Sequence, residues 1–499
     1  KELGKQLLDD TTPVTPSPLY PEYEFWKFLP QFQARLVPGG APQTWSTACF
    51  GKNVGTVTYS DDKKSLNVQI VSSRAQQLST CYDSYMSGFV GAVNIKNRVT
   101  SDKLNDVTTT YTIAIPDDVT DSEKWDLDTN GVRMLRYFVP GFESYASLLS
   151  TIELFGGELS QAVPPVVAQK NIDFLAKYSK IFVNPRDDSL NVVPDESEIK
   201  SGDAFYIMRL DGLNPMLAWA MGSTTGHVTT ALWIDGQLYV CESTTESAYW
   251  PTDYIQKTPY RTWIEQTKAA DMQVIWAPLS DAARKTYNET AAVEFFKNSE
   301  GLNYGFQAML WAWIDTAKGN FPCLPPDFST NCLQWEVLEL FIALVDRKIP
   351  QIGDLMWNAA MARRLNIDDG LRTADYFYQA GLQGMTPIDL VQKPELDTYL
   401  YNTTRYGEPT QGKAMVCCVL VCNIWKAAGV FGELTDDINC GEQTNYDDYA
   451  LTIHADTYRQ IVGTYTLELI DYKTQDFYSH MHEKCAALPP TYQREQGCQ

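Results

Sequence analysis

Gly226-His227-Val228-Thr229-Thr230-Ala231-Leu232-Trp233-Ile234-Asp235-Gly236-Gln237-Leu238-Tyr239-Val240-Cys241-Glu242 sets an Asp-Gly pair between two runs of β-forming residues. Asp-Gly accepts the left-handed backbone of a two-residue hairpin turn, so the stretch reads as two antiparallel strands. With Asp235 and Gly236 as the loop, Ile234 pairs with Gln237, Thr229 faces Glu242 and His227 faces Thr244. Side chains alternate along a strand, so His227, Thr229 and Glu242 share one face while Cys241 points to the other. His227 and Glu242 become diagonal cross-strand neighbours, within reach of a glutamate side chain. An imidazole with a carboxylate to orient it is half of a nucleophilic site.

The other half is a nucleophile, best placed at a helix N-terminus, where a thiol's pKa is lowered. Cys417-Cys418-Val419-Leu420-Val421-Cys422-Asn423-Ile424-Trp425-Lys426-Ala427-Ala428-Gly429 meets that demand. The loop expected at Pro409–Gly412 precedes it, Gly429 ends it, and the run is apolar on nearly every face. Such a helix is buried, with only its N-terminal end near a site. Cys417 or Cys418 would occupy the first turn, and Cys422 lies one turn on. All three also fit buried core thiols or disulfide partners.

These stretches resemble the NlpC-type branch of the papain-like cysteine hydrolases in its circularly permuted form, as in the YiiX-like amidases, with lecithin:retinol acyltransferase as a relative. Ile199-Lys200-Ser201-Gly202-Asp203 before an apolar strand is similar to the Gly-Asp that opens that group's small barrel. His227-Val228 matches the histidine strand, and Glu242 stands where the third polar residue falls. The group's Ala-Gly about twelve residues after the nucleophile favours Cys417 over Cys418. The resemblance implies an α+β fold with a circularly permuted papain-like core: an antiparallel sheet or small barrel with a buried Cys helix. It implies a Cys417-His227-Glu242 triad acting on an amide, peptide or acyl-ester bond without metal or organic cofactor, and peptide or acyl-lipid substrates. Two rival readings stay open. The acyl-Cys could pass its acyl group to a lipid or amine, or the scaffold could be a non-catalytic surface or matrix binding protein.

Composition narrows the class. The 499 residues are 44% hydrophobic and 20% charged, which excludes a disordered or collagen-like chain and suggests about two to four domains. A net charge of −22 argues against nucleic acid and anionic lipid as partners, because both are bound through Lys and Arg. No apolar run reaches the ~18 residues of a membrane-spanning helix.

The 11 cysteines, some flanking the Pro-rich Leu324-Pro325-Pro326 loop (Cys323, Cys332) or the polar C-terminus (Cys485, Cys498), suggest disulfides. The chain begins at Lys1 as a processed secretory protein would. Asn288 and Asn402 head glycosylation sequons. Together these point to a secreted protein or one of a lysosome or vesicle lumen. The odd count suggests that ten cysteines pair and Cys417 is the one left over.

Along the chain, residues 1–45 read as an extended Pro-rich arm and 46–150 as a β-rich accessory domain with an acidic surface connection at Asp117–Asp128. Residues 151–254 form the first part of the core, opening with helices and passing to strands over 201–244. Residues 255–405 read as a mainly helical insertion, 406–475 as the second part of the core with a strand at 461–471, and 476–499 as a tail. Asp126-Leu127-Asp128-Thr129-Asn130-Gly131 mimics half of a calcium loop, but Tyr137 stands where the bidentate Glu belongs, so it reads as an acidic turn. His480 and His482 have no third ligand of clear spacing and read as a solvated tail. His454 reads as structural and Met309–Trp313 as core.

Overall fold

The Asp235-Gly236 turn forms as its residue types dictate, with φ of 53° and 82°. It joins β10 (His227–Ile234) to β11 (Gln237–Ser243), in register from Ile234↔Gln237 to Thr230↔Cys241. With β9 (Ala204–Met208), β12 (Ile255–Pro259), β13 (Gln273–Ala277) and β16 (Arg459–Val462) they form a six-stranded antiparallel sheet, ordered β12-β11-β10-β9-β13-β16. A computed structural model describes residues 30–47, 49–74, 82–100, 106–137, 152–176, 181–221, 223–250, 252–313, 335–391, 393–436, 438–451 and 453–469. The fold is α+β. The chain divides into two compact units, 1–151 with 328–354 and 365–390, and 152–327 with 355–364 and 391–499.

In the second unit the neighbouring strands β9 and β13 are buried at every residue. That calls for cover on both faces, which explains why, Gln273 apart, they lack polar residues. Phe205, Ile207, Val274 and Trp276 meet Trp263 and Ile264 of the Tyr260–Ala269 helix in one core. The Cys417–Ala427 helix packs on β10 and on the Glu289–Ser299 helix. Trp425 donates from its indole to the Gly202 carbonyl at 2.9 Å, which pins the helix to the sheet. Cys422 is disulfide-bonded to Cys440 across 18 residues, tying the helix to the segment that follows it. Replacing both by Ala should cost about 3 kcal/mol, the loop-closure entropy of a crosslink of that span. Chemical denaturation of wild type, with and without reductant, and of the double variant measures it.

The first unit holds β1 (Gln31–Leu36), β2 (Gln43–Trp45), β3 (Phe50–Tyr59), β4 (Ser65–Arg74), β5 (Tyr82–Phe89), β6 (Ala92–Thr100), β7 (Val107–Ala114) and β8 (Val132–Arg136). They make two antiparallel sheets, β1-β8-β5-β6 and β2-β3-β4-β7, sharing a core that includes Leu36, Phe50, Leu66, Ile70, Phe89 and Met134. β8 is buried on both faces: Val132 and Met134 enter that core, while Leu135 packs on Val337 and Leu340 of the Trp335–Lys348 helix.

Several boundaries differ from the sequence reading. The stretch 30–45 is not an arm: β1 and β2 pair into the two sheets, because Ala34, Leu36 and Trp45 have a core to enter. The acidic connection holds the Asp121–Asn130 helix, started by a Thr120–Glu123 capping box, and its Asp126 is fully buried against Arg133. The calcium-like hexapeptide is the last part of that helix and its Gly131 stop. A helix, Leu213–Met221, interrupts the strands of 201–244.

The stretch 255–405 is not all insertion. β12 and β13 complete the sheet, and 328–354 with 365–390 belong to the first unit. Pro409–Gly412 lies in β15 (Glu408–Gly412), which pairs with β14 (Tyr401–Arg405), and the strand expected at 461–471 is β16. Residues 1–29, Leu324-Pro325-Pro326, Cys81, Cys323, Cys332, Cys485, Cys498, His480 and His482 lie outside the described residues. Among the described residues no helix is long and apolar enough to cross a membrane.

Candidate active site

His227 opens β10, and Glu242 sits near the end of β11, on the face the hairpin register assigns them. The His227 Nε2 lies 2.9 Å from Glu242 Oε2. The other Glu242 oxygen accepts from the Trp263 indole at 3.2 Å, so the carboxylate is held from two sides. Glu242 is buried, and the His227 side chain is 19% exposed. With Nε2 committed to Glu242, Nδ1 is the ring nitrogen left for the Cys417 thiol, with which the imidazole interacts directly.

Cys417 is the first residue of its helix, after the cap residue Val416, and is 6% exposed. The hydrogen bond from Cys418, against burial, and then the His227 imidazolium hold the Cys417 thiol well below the ordinary range. Burial pushes the Cys418 thiol well up, and the neighbouring Cys417 pushes it further. Burial opposes the charge on His227, but the Cys417 thiolate and then Glu242 raise its pKa to about 10. Both shifts run in the direction of a thiolate–imidazolium pair, and Cys418 is the donor beside it. This separates the two thiols, which sequence spacing alone left close.

Three further residues had no signal in the sequence reading. Asn445 Oδ1 lies 3.6 Å from Cys417 Sγ, and its Nδ2 donates to the Thr225 carbonyl at 3.3 Å. Asn445 follows the cap Thr444 of a short helix whose Thr444–Asp447 capping box is a legible start signal. Tyr304 is buried with its hydroxyl hydrogen-bonded to the Cys417 backbone, and Gly305 donates its N–H to the Met415 carbonyl at 3.2 Å. A Cβ on Gly305 would stand 2.4 Å from the Met415 nitrogen, so only glycine allows that approach. Ser243 also donates to the Met415 carbonyl, at 2.7 Å, fastening the end of the Glu242 strand to the start of the Cys417 helix. Trp263 is the third.

The other singled-out residues have structural places. Asp203 is fully buried and accepts from the backbone of Lys200 and Leu279, the Trp276 indole and Arg284. His454 is wedged against Tyr206 at 2.8 Å and Trp425, and burial lowers its pKa to about 4. Cys241, on the opposite strand face, is a buried free thiol. The parity argument therefore fails: Cys241, Cys417 and Cys418 are all free, and Cys422 is bonded to Cys440. No family model, no curated protein and no solved structure matches the chain.

Proposed function

We propose that the protein is a cysteine hydrolase of the permuted papain-like kind, secreted or held in a vesicle lumen, that cleaves an amide, peptide or acyl-ester bond. The single observation that carries the reading is the line Cys417–His227–Glu242, assembled from a helix start and two adjacent strands with the thiol lowered and the imidazole raised. The Cys417 thiolate attacks the carbonyl carbon, and the oxyanion would be held by the Tyr304 hydroxyl and by the Cys417 backbone N–H, which the hydroxyl oxygen gives up to it. His227 gives its proton to the leaving nitrogen or oxygen. Once sulfur is acylated, the negative charge that raised His227 is gone. The ring, still oriented by Glu242, is then neutral and serves as base for the water that releases the acid.

Burial of Cys417 also favours a second reading, in which an amine or lipid hydroxyl replaces that water, since exclusion of water prolongs an acyl-enzyme. Incubation with short acyl-thioester and peptide-amide probes should acylate Cys417 alone, seen by intact mass and peptide mapping. Adding an amine acceptor then divides the readings: release of free acid marks a hydrolase, and release of the amide marks a transferase. No acylation of Cys417 by either probe type would end both.

A further inference from the structure

A cleft of about 220 Å³ lies in the second unit, beside the Glu289–Ser299 helix and the hairpin of Tyr401–Arg405 with Glu408–Gly412. Buried Leu302 and Met415 give it apolar wall, and Asn298 and Thr410 give it neutral polar groups. Two cations, Arg405 and Lys413, line it, and no carboxylate side chain does. In a chain of net charge −22 that is a local inversion of sign.

Neither cation is neutralised by an ion pair among the described residues. The Lys413 ammonium donates to the amide oxygen of Asn423 at 3.1 Å, which uses one of its three protons, and stands 5.9 Å from the centre of the Phe295 ring in the same cleft. Arg405 donates to the carbonyls of Glu300 at 2.9 Å and Lys297 at 2.7 Å. Burial lowers the Lys413 pKa; Asp397 opposes this, but it is itself held by Lys426 at 2.8 Å. Elsewhere in this unit Arg364 and Arg284 pair with Glu395 and Asp203, whereas Arg186 donates to an amide oxygen and, like Arg405, to backbone carbonyls. Partly desolvated charges without counter-ions are costly unless a ligand supplies the opposite charge.

We infer that this cleft binds a small molecule carrying a carboxylate or phosphate, with its negative group set between Arg405 and Lys413 and its apolar part against Leu302 and Met415. The site does not depend on the thiol chemistry of Cys417. The full chain is titrated calorimetrically at constant ionic strength with inorganic phosphate in one arm, succinate in a second and chloride as control. Saturable binding is expected in at least one anion arm, and the arm that binds identifies the head group. Lys413→Met and Arg405→Gln should each weaken it roughly tenfold or more, as loss of a charged hydrogen bond does. Cys417→Ala should leave it unchanged.

Acylation of Lys413 by an amine-reactive reagent, followed by peptide mapping of the wild type, gives a readout that survives misfolding of a variant. A bound anion should slow that acylation and leave exposed lysines as they were. Binding no better than chloride overturns the assignment, as does binding undiminished in both variants or a Lys413 labelling rate indifferent to the anion.

Discussion

His227→Ala should lower the alkylation rate of Cys417 at pH 7 by up to roughly thirtyfold, the ceiling set by an ordinary thiol of pKa ~8.5, which is only about 3% thiolate at that pH, since the Cys418 hydrogen bond survives the change. The wild-type thiol is held well below its ordinary pKa in part by the adjacent imidazolium, which itself persists to about pH 10. Wild-type alkylation should therefore be flat across neutral and mildly alkaline pH and fall only on acidification. In the variant the rate should climb with pH from neutrality, until the thiol, now helped by Cys418 without the imidazolium, ionises. Turnover of any acyl substrate found for the enzyme should fall about 10⁴-fold, since the same ring supplies the proton to the leaving group.

Iodoacetamide kinetics with peptide mapping separates Cys417 from Cys418 and Cys241. Cys418, whose thiol burial pushes up, should remain slow in both proteins. A wild-type profile rising steeply through pH 8–9 would show that no ion pair exists. The triad reading would then fail even if the fold stands.

The hairpin and its register were legible because Asp-Gly admits few alternatives: positive φ at both positions fixes the loop, and the loop fixes which side chains share a face. The Cys417 helix was legible from its unbroken apolar run and its Gly429 stop, where φ is 76°. Asn445, Tyr304 and Trp263 were not, because each reaches the site from another element; the capping box at Thr444 marks a helix start but not which side chain meets Cys417. Short strands inside the supposed insertion were hidden for a related reason. β13, buried on every residue, shows an apolar run instead of alternation, and periodicity cannot tell that from a helix segment. The acidic segment misled in the opposite direction. Its charge suggested solvent, yet Asp126 and Glu123 are buried because basic partners come from elsewhere in the chain.

That last case carries the largest expected effect on stability. Arg133 is fully buried on β8, with Nη2 donating to Asp126 Oδ1 at 2.7 Å and to Glu339, and Nη1 to the Gly131 carbonyl at 3.0 Å. Arg133→Met leaves the buried Asp126 carboxylate without its guanidinium and Glu339 with Arg35 alone, at 2.9 Å, and breaking a buried pair from one side costs about 3–5 kcal/mol. The loss should appear as faster hydrogen exchange in β8 and the Asp121–Asn130 helix, without matching change around Cys417.

Adding Asp126→Asn to Arg133→Met should recover part of the loss at neutral pH, because it removes the carboxylate left without a counter-ion. If the single variant were as stable as wild type at pH 7, the cluster would be relaxed enough to admit water to those carboxylates. The capped helix would then be held by the burial of Leu127 in the core that Val132 and Met134 also enter.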